Sequence, residues 1–265
     1  MLIRTSPAGL LLYAAMLCWL GTLAAATFRR LQSHSRVPAV LASFFAACAF
    51  GARWHDAGHV PMQNLYEVFL CLGALVGPLS FFWRRYLGVE GQRADALIAL
   101  AVLFPAGFVF SDAASPLPPV LRSPLFLPHV AAYLLAYVIL IRGSLAAWLH
   151  VANPSASNPD AVARLLRLGF PLLTLGLLLG AWWGKLAWGD YWNWDPKELW
   201  ALATWVVYAA FFHVRALEGP RAGRASAGVA ILGGVCILLT LLWVNLAGRT
   251  FPGLHTYTSA SFRTQ

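Results

Sequence analysis

Residues 168–200 read LGFPLLTLGLLLGAWWGKLAWGDYWNWDPKELW, an apolar run that ends in a cluster of tryptophans. The run from 168 to 186 is long enough to cross the hydrocarbon core of a bilayer as a helix. Comparable runs recur along the whole chain, near 7–27, 37–52, 64–83, 94–111, 129–148, 196–217 and 227–247. The sequence therefore predicts an all-α integral membrane protein, a bundle of about eight transmembrane helices.

The composition excludes a soluble globular domain. Hydrophobic residues make up 60% of the chain, charged residues 11%, and the mean hydropathy is +0.67, whereas a soluble domain carries about 25% charged residues. The apolar runs are continuous rather than alternating, which disfavours a β-barrel. Since no connecting segment is long or polar enough for a soluble domain, residues 1–265 are predicted to form a single membrane domain.

The basic residues divide unequally between the two sides of this bundle. One side holds Arg29, Arg30, Arg36, Arg84, Arg85, Arg93, Arg142, Arg164, Arg167, Arg215, Arg221 and Arg224. The other holds Arg4, Arg53, Arg122, Lys185, Lys197, Arg249 and Arg263. By the positive-inside rule the first side is cytoplasmic, so eight spans predict that both termini are external. In a membrane protein this distribution matters more than the net charge of +9, and no nucleic-acid partner is expected.

Residues 182–200, called here the tryptophan segment, hold half of the chain's twelve tryptophans. Three interpretations are open. Tryptophan favours the membrane–water interface, so the cluster could be an aromatic belt. Asp195, Pro196 and Glu198 form a good helix start of the capping-box type. The third interpretation is a platform for a flat apolar ligand, which binds aromatic faces by stacking. We favour the platform, because a belt would spread tryptophans over all helix ends.

Two histidines are predicted at the same external level as this platform. His129 opens the fifth helix in LPHVAAYLLAY, and His255 lies in the external tail NLAGRTFPGLHTY. Two imidazoles beside an aromatic shelf suit a metalloporphyrin, whose iron takes axial nitrogen ligands. The alternative is that each histidine is an interfacial polar residue. Zinc is less favoured, since no cysteine or closely spaced carboxylate completes a ligand set.

His213 lies at a different depth in the predicted bundle. It follows Asp195 by 18 residues, which in a helix is about 27 Å, so it cannot share one ligand with His129 or His255. An ionisable residue inside a span indicates function, although a snorkelling residue beside Arg215 is the alternative. As an iron ligand it would lack a second axial partner, which another subunit could supply.

A polar motif precedes the third predicted helix. The stretch GHVPMQNLYEVF, residues 58–69, places Glu67 just inside an apolar helix, which is costly unless the carboxylate is paired. Its partner could be Arg53, Arg122 or Arg249. Those arginines could instead bind haem propionates in bidentate geometry, and the sequence leaves the choice open.

Together these motifs resemble a known family. The run WGDYWNWDPKELWALATWVVYAAFFH is similar to the WWD signature of the haem-handling proteins of cytochrome c maturation. Within that superfamily it most resembles the CcsA (ResC) family, a subunit of the System II cytochrome c synthase. GHVPMQNLYEVF resembles the family's early motif, so the likeness runs from about residue 50 to 260.

The resemblance assigns roles to specific residues. It implies that residues 182–200 form an external haem loop, with His129 and His255 as axial iron ligands outside the membrane and His213 as an intramembrane ligand. The cofactor-binding residues it implies in the loop are Trp188, Tyr191, Trp192, Trp194 and Asp195. The ligand that the resemblance implies is haem b, held in the ferrous state as a substrate.

The resemblance also implies the reaction and the partners. Haem is exported and presented for covalent attachment to the Cys-x-x-Cys-His segment of apocytochrome c, so the chain would act as a synthase (haem lyase) subunit forming thioether bonds. A CcsB (ResB)-like membrane subunit would supply a further histidine ligand. The expected location is the bacterial cytoplasmic membrane, with the haem loop on the periplasmic face. The alternative is a CcmC-like haem chaperone, which binds haem without ligating it.

Overall fold

The computed structural model describes residues 3–153, 159–218 and 223–244 of the chain. Within these ranges the regular elements are all helical, and they comprise eight α-helices. The predicted all-α fold is therefore confirmed. The helices form two compact units, one made of residues 3–121 and one beginning at residue 122.

The first unit contains four helices, α1 (Pro7–Thr27), α2 (Arg36–Ala57), α3 (Leu65–Tyr86) and α4 (Gln92–Phe108). Helix α1 packs on α2 and α4, and α3 completes the ring by packing on the same two helices. Local sequence fixes where helices begin. Ser6 Oγ accepts the Gly9 N–H at 3.2 Å with Pro7 in the first helical position, and Asn64 Oδ1 accepts the Glu67 N–H at 2.9 Å.

A cluster of charged side chains, all buried except the partly exposed Asp112, lies at one end of this unit. Arg53 donates Nη2 and Nε to Glu67 Oε1 at 2.7 and 3.0 Å, and Nη1 to the Asp112 carbonyl at 2.8 Å. Arg4 Nη1 pairs with the Asp112 carboxylate at 2.7 Å. Both guanidinium groups lie over the Tyr66 ring, 4.5 and 5.4 Å from its centroid. Of the three arginines that the sequence offered as partners of Glu67, the structure shows Arg53.

The second unit contains α5 (Phe126–Ala152), α6 (Pro159–Trp188), α7 (Pro196–Glu218) and α8 (Arg224–Leu238), the last continued by a π-helical turn over Leu239–Trp243. Helices α5 and α7 each pack on both α6 and α8. Ser144 Oγ on α5 donates to the Ala230 carbonyl on α8 at 2.6 Å and lies 2.9 Å from the Tyr208 hydroxyl on α7. Three helices are therefore tied together by buried hydrogen bonds.

Seven of the eight α-helices are long and apolar enough to cross a membrane, which supports a multi-pass membrane protein. The exception, α4, has 17 residues and spans about 25 Å. The helix positions agree with the predicted spans, but α6 begins at Pro159 rather than near residue 168. Its first three turns carry Arg164 and Arg167, and residues outside the apolar core of a membrane can be helical without being apolar. The external position of the termini stays a prediction.

Candidate functional site

His129 lies in the first turn of α5, where its backbone N–H donates to the Leu125 carbonyl at 3.1 Å. Its half-buried imidazole points at α6, and Nδ1 lies 2.8 Å from the Gly176 carbonyl oxygen. A carbonyl oxygen only accepts, so Nδ1 carries the proton and donates this bond. The lone pair of the neutral ring is then on Nε2, which is the tautomer that metal-ligating histidines use.

Aromatic rings continue from His129 along the end of α6. The Trp183 ring stacks on the imidazole, with centroids 5.8 Å apart and planes inclined by 24°. Trp188 packs edge-on against Trp183 at 4.8 Å and 66°. Trp183 is only 1% exposed, so it acts as the rigid support between His129 and Trp188. The structure thus joins two predicted site residues through a third, Trp183, that the sequence did not single out.

Residues 189–195 form the irregular part of the tryptophan segment, between the ends of α6 and α7. Asp195 Oδ1 accepts the Glu198 N–H at 2.9 Å. In return Glu198 Oε2 accepts the Asp195 N–H at 3.3 Å and the Asn193 N–H at 2.7 Å. This reciprocal pattern confirms the predicted capping box. At the other end of the irregular part, Lys185 Nζ donates to the Gly189 carbonyl at 2.5 Å. Polar contacts therefore fix both ends of residues 189–195.

The rings in this irregular part are largely accessible. Tyr191 is 60% exposed and Trp194 is 67% exposed, although large aromatic side chains are usually buried. Trp192 packs edge-on against Trp194 at 6.1 Å and 83°. Trp194 also has φ of 59°, the one left-handed residue other than glycine in the described chain. Backbone strain clusters at functional sites, so Trp194 is a candidate contact residue.

Two donors in this segment have no hydrogen-bond partner among the described residues. They are Trp192 Nε1 and Asn193 Nδ2, both inaccessible atoms of half-buried side chains. Unpaired buried donors cost free energy, and they suit a ligand that brings acceptor oxygens. Flat aromatic faces, an imidazole with its lone pair on Nε2 and unpaired N–H groups together fit haem, which has a flat ring, an iron atom and two carboxylates.

His213 lies far along α7 from this site. Because α7 is continuous from Pro196 to Glu218, the 18 residues between Asp195 and His213 correspond to about 27 Å. Its side chain is exposed, and its Nδ1 donates to the Ala209 carbonyl at 2.9 Å, which again leaves the lone pair on Nε2. Leu199 and Val206, at seven-residue spacing before it, are also exposed, by 45% and 51%. The three residues form one uncovered face of α7.

The predicted site residues therefore fall into separate groups. His129 and Trp188 come together through Trp183, Trp192 meets Trp194, and Asp195 serves as a helix cap. His213 stands apart from them. His255 lies outside the described residues, so its place beside His129 stays a prediction.

Comparison with known proteins agrees with this fold. The sequence profile described as "Cytochrome C assembly protein" matches residues 8–251. The cytochrome c biogenesis protein CcsA of Chlamydomonas reinhardtii is 37% identical over 77% of this chain and 63% of its own length. CcsA of Guillardia theta is 32% identical, over 93% of this chain and 92% of its own. CcsA of Synechococcus sp. (strain JA-3-3Ab) is 32% identical over 92% and 90%.

A solved structure, that of the cytochrome c heme lyase CcmF, superposes with a TM-score of 0.69 over 99% of this chain and 52% of CcmF. At 21% identity this likeness supports the fold alone. The fold and the matched profile define a multi-pass helical membrane protein of cytochrome c biogenesis. The chain belongs to the cytochrome c assembly protein family, and the relatives it matches at high coverage are CcsA proteins.

Proposed function

We propose that this chain is a subunit of a System II cytochrome c synthase, which receives haem and presents it to apocytochrome c. The family handles haem, and the proposal rests above all on His129. Its Nδ1 bond to the Gly176 carbonyl puts the lone pair on Nε2, and the ring lies on the Trp183–Trp188 stack. A histidine nitrogen can serve as an axial ligand of haem iron, and aromatic rings beside it can pack against the flat porphyrin.

The second axial ligand in this proposal is His255, which the sequence places in a tail that follows α8. Trp188, Tyr191, Trp192 and Trp194 contact one edge and face of the porphyrin by offset or edge-to-face packing. Trp192 Nε1 and Asn193 Nδ2, which are buried and unpaired in this structure, would donate to carboxylate oxygens once the rings that cover them move apart around the porphyrin. Two imidazole ligands favour retention of haem b as a defined complex, and the iron is ferrous in the reaction.

The reaction is addition of thiols to the vinyl groups of haem. Each cysteine of the Cys-x-x-Cys-His segment forms one sulfur–carbon bond, and its proton goes to the other vinyl carbon, so no net oxidation occurs. The protein supplies orientation and proximity while the substrate supplies the chemistry. No side chain of this chain is proposed as a general base.

His213 is proposed as a ligand for a second haem position, on the route to the first. Its exposed face with Leu199 and Val206 offers an apolar surface with one ligating nitrogen. A CcsB-like partner subunit would place its own histidine against this face and complete the axial pair. Haem then moves from His213 to the tryptophan segment, toward the periplasmic face of the bacterial cytoplasmic membrane.

The test is reconstitution with a CcsB-like partner and an apocytochrome c, with covalent haem measured by haem stain and bound haem by the Soret band. We expect His129→Ala and His255→Ala to abolish thioether formation, with partial recovery when free imidazole is added. His55→Ala is the matched control, since His55 has a 92% exposed side chain in the first unit. Wild-type assembly by both substituted proteins would refute the proposal.

The same assay separates synthesis from chaperoning. A synthase forms covalent cytochrome c with only the partner and the apocytochrome present. A CcmC-like chaperone shows a Soret band in this mixture but needs a further protein for covalent attachment. Purified complex without any haem, from cells grown with ample haem, would contradict both functions.

A further inference from the structure

His129 occupies a notch in α6 that two glycines create. A methyl group built on Gly180 would lie 2.5 Å from the imidazole Cε1 and 2.8 Å from Nδ1, distances at which the ring must move. One turn earlier, a methyl group on Gly176 would lie 2.9 Å from the Tyr133 ring. The glycines of the G-x-x-x-G sequence at 176–180 therefore admit two aromatic side chains of α5, four residues apart.

In this notch the imidazole contacts Gly176, Trp183 and Tyr133. The Gly176 carbonyl accepts from Nδ1 at 2.8 Å, Trp183 covers one face, and Tyr133 packs edge-on at 5.2 Å and 86°. The hydrogen bond fixes the tautomer, and the contacts with the Trp183 and Tyr133 rings restrict rotation about the side-chain bonds. The direction of the Nε2 lone pair is thus set by α6 before any ligand arrives.

Other glycines on the same helix pair have a different neighbour. A methyl group on Gly169 would lie 2.7 Å from Leu140 Cγ, and on α5 a methyl group on Gly143 would lie 2.2 Å from Leu166 Cδ1. These positions serve close approach of two helices through aliphatic side chains, as small residues in membrane helices ordinarily do. Gly180 differs because the group that it admits is an imidazole with a ligating nitrogen.

We propose that Gly180, with the Gly176 carbonyl, is a positioning site that orients His129 as an axial iron ligand. This inference rests on the proposed function, since it assigns the device that prepares the proposed ligand. Partners that orient a ligating histidine raise metal affinity roughly 10–100-fold in other proteins. A methyl group at Gly180 displaces the ring from its acceptor, so Nε2 no longer points at a fixed position.

The experiment compares Gly180→Ala with Gly169→Ala in the purified complex with a CcsB-like partner. Both substitutions crowd α5 against α6 by a similar amount, but only the first crowds the imidazole. For Gly180→Ala we expect roughly tenfold weaker haem retention at the external site, with the reduced-haem spectrum restored by free imidazole. For Gly169→Ala we expect the wild-type spectrum and no response to imidazole.

His129→Ala, measured in parallel, separates this inference from the proposed function. If His129→Ala alters the haem spectrum but Gly180→Ala does not, the positioning role is wrong and the ligand assignment stands. If His129→Ala leaves the spectrum unchanged, both are wrong. Should Gly180→Ala fail to assemble, Trp183→Phe uncovers part of the imidazole face instead, and weaker retention with imidazole rescue supports the role. Unchanged retention in Trp183→Phe overturns it.

Discussion

Two polar regions, one in each helical unit, use their side chains in opposite ways. In the first unit Arg4 and Arg53 are paired with Asp112 and Glu67, and the Tyr66 ring lies under both guanidinium groups. In the tryptophan segment of the second unit, Tyr191 and Trp194 are exposed, and Trp192 Nε1 has no hydrogen-bond partner among the described residues.

The difference separates structure from function. Charges that pair with one another offer fewer hydrogen bonds to a ligand, whereas exposed rings and unpaired donors carry a cost in stability that a bound ligand can offset. The sequence allowed arginines such as Arg53 to bind haem propionates. In the structure Arg53 pairs with Glu67 and so stabilises the first unit. The tryptophan segment is therefore the better candidate for ligand contact.

The largest expected effect is on stability and comes from the first unit. Glu67→Ala leaves the buried Arg53 guanidinium without its carboxylate, and removing one partner of a buried pair costs about 3–5 kcal/mol. We expect a marked fall in the thermal unfolding midpoint in detergent, while the protein that remains folded binds haem normally. Replacing both partners, Arg53→Met with Glu67→Leu, should recover part of the loss. A Glu67→Ala protein that is as stable as the wild type but fails to bind haem would show that this region binds the ligand instead of stabilising the fold.

The next effect is on binding and comes from the second unit. Trp188→Ala removes the ring that packs on Trp183, and one aromatic pair contributes about 0.5–1.5 kcal/mol beyond the area it buries. We expect haem retention to fall by about tenfold, which corresponds to 1.4 kcal/mol, measured as loss of the Soret band on dilution. Trp54→Ala, at a 48% exposed tryptophan of the first unit, is the control and should retain haem as the wild type does.

Sequence patterns located the eight helices because apolar length alone determines a span. They underestimated the length of α6, whose first turns contain Arg164 and Arg167. The part of a helix that extends beyond the apolar core of the membrane needs no apolar residues, so apolar length does not reveal it. The capping box at Asp195 and Glu198 was readable because it depends on residues close in sequence. Local contacts of this kind can be predicted from the order of residues.

Contacts between helices were not readable in the same way. Trp183 was one of six clustered tryptophans, and nothing local distinguished it as the ring that supports His129. The G-x-x-x-G sequence at 176–180 was a visible signal of close helix packing, but its neighbour depends on the register of α5 against α6. The pairing of Glu67 with Arg53 likewise required the packing of α2 on α3.

A smaller effect is expected at Asp195, where the resemblance and the structure suggest different roles. As a helix cap, Asp195→Ala should cost about 1 kcal/mol, whereas asparagine caps almost as well as aspartate. We therefore expect Asp195→Asn to retain both stability and haem binding, and Asp195→Ala to weaken both slightly. If Asp195→Asn loses haem while unfolding at the wild-type temperature, the carboxylate itself contacts the ligand.

The smallest stability effect is expected at Trp194. Its φ of 59° costs a residue other than glycine about 1–2 kcal/mol, while glycine gives back roughly 0.5–1 kcal/mol through the entropy of the unfolded chain. Trp194→Gly should therefore leave the unfolding midpoint nearly unchanged, or raise it slightly.

Measuring haem retention shows whether Trp194 is kept in that conformation for contact with the ligand or for the structure of the loop. Loss of one aromatic contact corresponds to about 0.5–1.5 kcal/mol, so retention in Trp194→Gly should fall by a factor of a few while stability holds. Tyr191→Ala, at an exposed ring with ordinary backbone geometry, should weaken retention without the gain in stability. If Trp194→Gly binds haem as the wild type does, the strained residue serves the loop and not the ligand. The proposed ligand contacts of the second unit would then be limited to His129 and the residues of α6 that support it.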